Sequence, residues 1–195
     1  MFIAMIIDKK ALEILYKVYH ENYSAMKTIP SLLHPIPITS SIHNEKVFWL
    51  GTCLGAENRW DNPQNWHNNK VPSKNSLVVI APQFAKHHNY PVIDAFVPDI
   101  AQLEIKEGAQ LTIELQGQLT VDGHQTESLG IINHGTIQNN GELNVKNTKS
   151  NCIYNYGIFV NDYSLAIDRT IEEGIFESDD SSFLNCGEII ELVLR

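Results

Sequence analysis

Residues 129–145, LGIINHGTIQNNGELNV, carry a short grammar that much of the chain repeats: an Asn, one spacer and a Gly, then a run with every second residue apolar. It occurs as Asn133-His134-Gly135-Thr136-Ile137, as Asn139-Asn140-Gly141-Glu142-Leu143, as Asn155-Tyr156-Gly157-Ile158-Phe159 and as Asn185-Cys186-Gly187-Glu188-Ile189. A degenerate copy is Glu172-Glu173-Gly174-Ile175-Phe176, and Gly108 and Gly117 open similar runs without the Asn. The period of two predicts short strands, with Leu111, Ile113 and Leu115, Leu119 and Val121, and Leu143 and Val145 inward, and Thr, Glu, Asn and Gln outward. Asn bonds its own neighbouring backbone and Gly adopts positive φ without strain, so Asn-x-Gly predicts a corner. A corner and strand repeated in this way describe a β-solenoid, whose turns bury their apolar faces only by stacking. At a spacing of ~4.8 Å the aliphatic residues align in columns and the Asn side chains in ladders. With ~20 residues per turn, residues 101–194 hold roughly four or five turns. The expected fold is all-β, a right-handed parallel β-helix of four to five rungs. An antiparallel sandwich with tight Asn-Gly turns is the alternative.

Upstream the pattern changes. From Asp8, the residues Leu12, Leu15, Tyr16, Tyr19, Tyr23 and Met26 recur at helical spacing up to Pro30. They predict an amphipathic helix that caps an open end of the solenoid. All eight prolines fall at or before Pro98, and nine of the eleven glycines at or after Gly108. Pro cannot donate to a strand ladder, so this shift divides the chain. Residues 1–46 are a helix and extended connector, 47–98 a Trp-rich capping region, and 99–195 the solenoid.

The capping region is the most specific stretch. It reads Trp49-x-Gly51, then Trp60-Asp61-x-Pro63-x-Asn65-Trp66, then Val71-Pro72 and an apolar strand over 77–80. This block, followed by Gly- and Asn-rich coils, resembles the opening of bacterial surface and secreted β-solenoid proteins of the autotransporter-passenger and adhesin-like kind. The resemblance runs over roughly 47–145. It implies a structural or adhesive role, a secreted or cell-surface location, and a packing role for the three tryptophans at the start of the coil. Read from the residues alone, three Trp with adjacent Asn side chains also make a platform on which sugars stack. Trp49, Trp60, Trp66 and Asn65 are therefore the candidate binding residues, for a carbohydrate or a protein partner.

Charge narrows the partners. The net charge is −9, and residues 101–195 contribute 15 acidic against 5 basic side chains. That balance argues against a nucleic-acid partner. The opening MFIAMII is too short to span a bilayer and lacks a basic flank, so it is a poor secretory signal and a cytoplasmic location is the alternative to the surface. Cys53, Cys152 and Cys186 show no metal or disulfide spacing, and Cys152 and Cys186 are expected as buried thiols. Adjacent His87 and His88 point to opposite sides of an extended chain and make a poor metal pair. Glu177, Asp179 and Asp180, with Glu172 and Glu173, form an acidic corner that is the one candidate Ca²⁺ site. Parallel β-helices include polysaccharide lyases and hydrolases, but Arg169 beside Asp168 is the only candidate pairing for such chemistry. The expectation is therefore a non-catalytic structural or adhesive module without cofactor, which associates with a protein partner or itself through the solenoid ends. Two other classes compete: a polymer-forming cytoplasmic solenoid like the bactofilins, and a carbohydrate-binding or carbohydrate-active β-helix.

Overall fold

The computed structural model describes residues 44–82, 89–123, 129–168 and 174–192. Through them the chain winds as a right-handed parallel β-solenoid of about four turns. Strands β1 (Glu45–Phe48), β2 (Ser76–Ile80) and β3 (Val92–Ile93) lead into a first full turn. That turn holds β4 (Gln102–Ile105), β5 (Gln110–Ile113) and β6 (Gln118–Asp122). The second is β7 (Ile131–Asn133), β8 (Thr136–Asn139) and β9 (Glu142–Lys146), and the third β10 (Ile153–Asn155), β11 (Ile158–Asn161) and β12 (Ser164–Asp168). The last is β13 (Ile175–Glu177), β14 (Ser182–Asn185) and β15 (Glu188–Leu192). Three sheets result, in the orders β1-β2-β4-β7-β10-β13, β3-β5-β8-β11-β14 and β6-β9-β12-β15. Every pairing between these strands is parallel, which excludes the antiparallel sandwich. Sheet one already contains β1 and β2, so the parallel winding extends upstream of Asp99. The helix expected from Asp8 lies outside the described residues.

The inward row stacks as the alternation requires. One column runs Val78, Leu103, Ile131, Ile153, Ile175 in sheet one, another Leu111, Ile137, Phe159, Phe183 in sheet two, and a third Leu119, Leu143, Leu165, Ile189 in sheet three. Burying each aliphatic side chain is worth about 1.5–3 kcal/mol, so the columns supply most of the drive to wind. Leu115 departs from the expectation: β5 ends at Ile113, the Gly117 amide closes a turn onto the Glu114 carbonyl at 2.7 Å, and Leu115 is left 67% exposed.

At two corners the inward column switches from aliphatic to Asn. Ile105 is followed by Asn133 and Asn155, and Ile113 by Asn139, Asn161 and Asn185. The amide of Asn133 donates to Oδ1 of Asn155 at 2.8 Å, a step of 22 residues, and to the Ile158 carbonyl at 3.0 Å, while its own Oδ1 accepts from the Gly135 N–H. Asn139 repeats this toward Asn161 (2.7 Å) and Ser164 (2.9 Å), and Asn161 toward Asn185 (2.7 Å). Each buried carboxamide is thus satisfied by the following turn. These bonds all point the same way, from one turn to the next toward the C-terminus.

The glycine of the motif has a different role from the one its conformational freedom suggests. Gly135, Gly141, Gly157 and Gly187 do not have positive φ; Gly108, Gly130 and Gly174 do. At the Asn-x-Gly corners the preceding turn's carbonyl lies where a Cβ would stand: the Glu114 and Gly117 carbonyls at Gly141, the Gly135 carbonyl at Gly157. The residue is Gly because two backbones touch there.

Two substitutions test the corner. Asn161→Ala removes a bond on each side of the ladder and leaves the Asn139 amide only its bond to the Ser164 carbonyl, and is expected to cost about 2–4 kcal/mol in urea unfolding. Gly141→Ala is expected to cost roughly 3 kcal/mol through steric overlap, although Ala has the higher strand and helix propensity. A neutral effect of either would contradict the corner described.

Candidate functional site

The Trp-rich segment folds across the N-terminal end of the solenoid. Asn62 caps a 3-10 turn, Pro63–Asn65, by accepting the Gln64 N–H at 3.0 Å, and Pro63 occupies a first-turn position that needs no donor. The turn delivers Asn65 and Trp66 inward. Asn65 is fully buried and fully used: its Oδ1 accepts the Cys53 N–H at 2.8 Å, and its Nδ2 donates to the carbonyls of Ala56 (2.7 Å) and Arg59 (2.9 Å). Trp66 meets Trp49 and Trp60 edge to face, both with ring centroids 4.8 Å apart. Such pairs contribute about 0.5–1.5 kcal/mol beyond their area. The exposures of Trp49, Trp60 and Trp66 are 4%, 1% and 0%. Trp66 donates to the Trp60 carbonyl at 2.8 Å and Trp49 to the Asn89 carbonyl at 2.7 Å, whereas the Trp60 N–H is buried without an acceptor. The four binding candidates are therefore brought together, and they lie inside the protein, the three rings packed edge to face.

This segment also occupies the N-terminal edge of all three sheets. At sheet one, Trp49 and Trp66 form an antiparallel bridge, the His67 N–H donates to Phe48 O at 3.0 Å, and the Phe48 N–H donates to Nδ1 of His67 at 3.0 Å. At sheet two, Arg59 bridges Val92, with the Val92 N–H on Asn58 O at 2.8 Å and the Trp60 N–H on Val92 O at 3.3 Å. At sheet three, Phe96 and Ile100 bridge Gln118 and Val121. Several edge groups that would otherwise template another chain are thereby paired.

The C-terminal end is different. Among the described residues no strand pairs with the outer side of β13, β14 or β15. The column residue Ile189 is 37% exposed, and outward Leu184, Ile190 and Phe176 are 56%, 39% and 41% exposed. The Asn ladder ends here as well: Nδ2 of Asn185, which in inner turns reaches forward, folds back onto the Gly187 carbonyl at 3.3 Å. Cys186 sits on this last corner and is exposed, contrary to the buried thiol expected, because no described turn covers it; Cys152 is buried. Burial pushes the Cys152 thiol above its ordinary range.

Other candidate chemistry is dispersed. Glu177 ends β13, and Asp179 and Asp180 are exposed on the turn closed by the Ser181 N–H on Ser178 O. Among the described residues no group of three or more His, Cys, Asp or Glu is arranged to hold a metal ion. His87, His88, Arg169, Glu172 and Glu173 lie outside the described residues. Hydrogen bonding to Asp61 raises the Arg59 guanidinium, and the same bond lowers the Asp61 carboxyl. No helix among the described residues is long and apolar enough to cross a membrane. An outward aromatic group has no motif of its own in the sequence: His134 stacks on Tyr156 (4.8 Å, 9°), and Tyr156 and Tyr154 both meet Phe176. Their outward parity, between buried Asn133, Ile153 and Asn155, was the available signal.

These features define a parallel β-solenoid with a tryptophan-packed N-terminal end. Residues 48–178, from β1 to just beyond β13, match the family described as Domain of unknown function (DUF8693), and the chain belongs to that family. No curated protein and no solved structure matches it.

Iodide is expected to quench little of the tryptophan fluorescence of the folded protein and most of it after unfolding. Under native conditions a thiol reagent is expected to modify Cys186 and spare Cys152 until the chain unfolds. Ready quenching, or native labelling of Cys152, would contradict the burial described.

Proposed function

We propose that this protein is a non-catalytic structural and binding module that pairs with a second copy of itself through the last turn of its solenoid. The observation that carries this reading is the asymmetry of the ends among the described residues: loops pair with the N-terminal edges, whereas no strand pairs with the outer edges of β13, β14 and β15, and Ile189, the last residue of its inward column, is 37% exposed. Exposed parallel edges pair with other chains unless they are blocked. Two such ends meeting tail to tail form an isologous contact that closes at two copies. A head-to-tail polymer of the bactofilin kind needs a free edge at each end, and the paired N-terminal edges disfavour it. A structural or adhesive role, which the family resemblance implies, agrees with a short stiff body that presents the same lateral surface twice. The buried tryptophans favour packing over sugar stacking for those rings.

Light scattering across concentration tests the reading. The wild-type chain is expected to move from one to two copies, and Leu184→Lys with Ile189→Lys to remain a monomer with its cooperative melting preserved. A wild-type monomer at every concentration, or open-ended growth, would overturn it.

A further inference from the structure

At the corner between sheets one and two the four turns of the solenoid are not alike. Four residues separate β4 from β5 and β13 from β14, but only two separate β7 from β8 and β10 from β11. Each longer corner is closed by its own backbone bond. The Ala109 N–H donates to Lys106 O at 2.9 Å, and the Ser181 N–H to Ser178 O at 3.0 Å. The corners are nonetheless in register: the His134 N–H donates to Ile105 O at 2.8 Å, the Tyr156 N–H to Asn133 O at 2.7 Å and the Ser178 N–H to Asn155 O at 3.0 Å. Two projecting turns therefore flank two short ones. Three rung spacings of ~4.8 Å set the projecting turns about 14 Å apart. The surface between them is a saddle.

Its floor is aromatic and its walls are acidic. His134 and Tyr156 are exposed and nearly parallel, with centroids 4.8 Å apart and planes at 9°. Tyr156 continues onto Phe176 at 5.7 Å. Glu107 is exposed on one projecting turn, and Asp179 and Asp180 on the other. Against the first wall lies a recess of about 380 Å³ lined by Lys106, Glu107, His134 and Tyr156. Its volume falls within the ~300–1,000 Å³ typical of binding recesses. The Lys106 ammonium is bonded to the carboxylate of Glu104. Ring faces attract cations, and carboxylates at the flanks attract them further. The rings come from the middle position of the Asn-x-Gly corners and the carboxylates from the longer turns, so two separate features select the same charge. A guanidinium suits both, because its plane stacks on a ring while its edge donates to a carboxylate.

We propose that this saddle docks a partner protein that presents an arginine on an extended segment. The guanidinium lies over His134 and Tyr156 and donates to Glu107, and basic residues beside it on the partner meet Asp179 and Asp180. The surface is lateral and its floor belongs to the inner turns, so the proposal goes beyond pairing through the last turn.

The test uses the full chain and a capped Gly-Arg-Gly-Arg-Gly peptide, titrated into the millimolar range by NMR. The same peptide with citrulline in place of arginine is the uncharged control. The arginine peptide is expected to bind, to shift the ring resonances of His134 and Tyr156, and to weaken as salt rises. The citrulline peptide is expected to bind at least tenfold more weakly. Tyr156→Leu keeps an apolar contact for Phe176 but removes the ring face, and is expected to weaken binding about fivefold. Glu107→Gln with Asp179→Asn and Asp180→Asn is expected to weaken it about tenfold at low salt and to flatten its salt dependence. All three carboxylates are exposed, so cooperative melting is expected to be retained. The Leu184→Lys/Ile189→Lys variant is expected to bind like the wild type, which separates this surface from end pairing. No binding, equal binding of the citrulline peptide, full affinity in both saddle variants, or loss of binding in the last-turn variant would overturn the assignment.

Discussion

Successive turns of this solenoid lie so close at the Asn-x-Gly corners that no Cβ fits between them. The carbonyl of one turn occupies the space at Gly141, Gly157 and Gly187 of the next. That contact sets the stacking distance, and the stacking distance lets one carboxamide reach another. Asn139, Asn161 and Asn185 then share one side-chain bond per turn at 2.7 Å. The aliphatic columns alone would tolerate slippage along the strands. A buried Asn displaced from its ladder leaves a polar group unsatisfied at a cost of about 1–3 kcal/mol, so the corners select the register and the columns supply the energy.

The ladder has a direction, and the molecule inherits it. Each Asn donates forward, so the N-terminal end needs no Asn acceptor above it and starts on Ile105 and Ile113, while the C-terminal end stops on Asn185 with its donor turned back on its own corner. At the N-terminal end the backbone edges are met by segments 58–60, 65–67 and 95–100. The tryptophans give those segments a hydrophobic base: burying Trp60 and Trp66 fixes where Asn58, Arg59 and His67 can stand. One cluster therefore underlies the segments that meet the N-terminal sheet edges.

Much of the winding was legible in the sequence, since strand period and corner chemistry are local. Leu111, Ile113, Leu119, Val121, Leu143 and Val145 are inward and buried, and the Asn side chains form ladders. Leu115 was misplaced because alternation does not reveal where a strand stops. The reason for glycine was also hidden: positive φ is a property of one residue, whereas contact with the previous turn depends on a partner about twenty-two residues away. The candidate sites were less legible still. The spacing of Trp49, Trp60 and Trp66 marks a cluster, but whether their faces point in or out depends on loop closure through Asn65. Cys186 reads like Cys152 because each directly follows an Asn; only the order of turns separates a covered corner from an exposed one.

Amide hydrogen exchange resolved by turn tests the asymmetry of the two ends most directly. In a parallel ladder successive amides point alternately to the two neighbouring strands. The account expects slow exchange through β5–β12 and comparable protection at Trp60 and His67, whose amides bond across the N-terminal edges. In β13–β15 it expects every second amide to exchange fast in dilute solution and to gain protection as concentration rises. Fast exchange at Trp60 and His67, or uniform concentration-independent protection across β13–β15, would contradict the asymmetry of the two ends seen among the described residues.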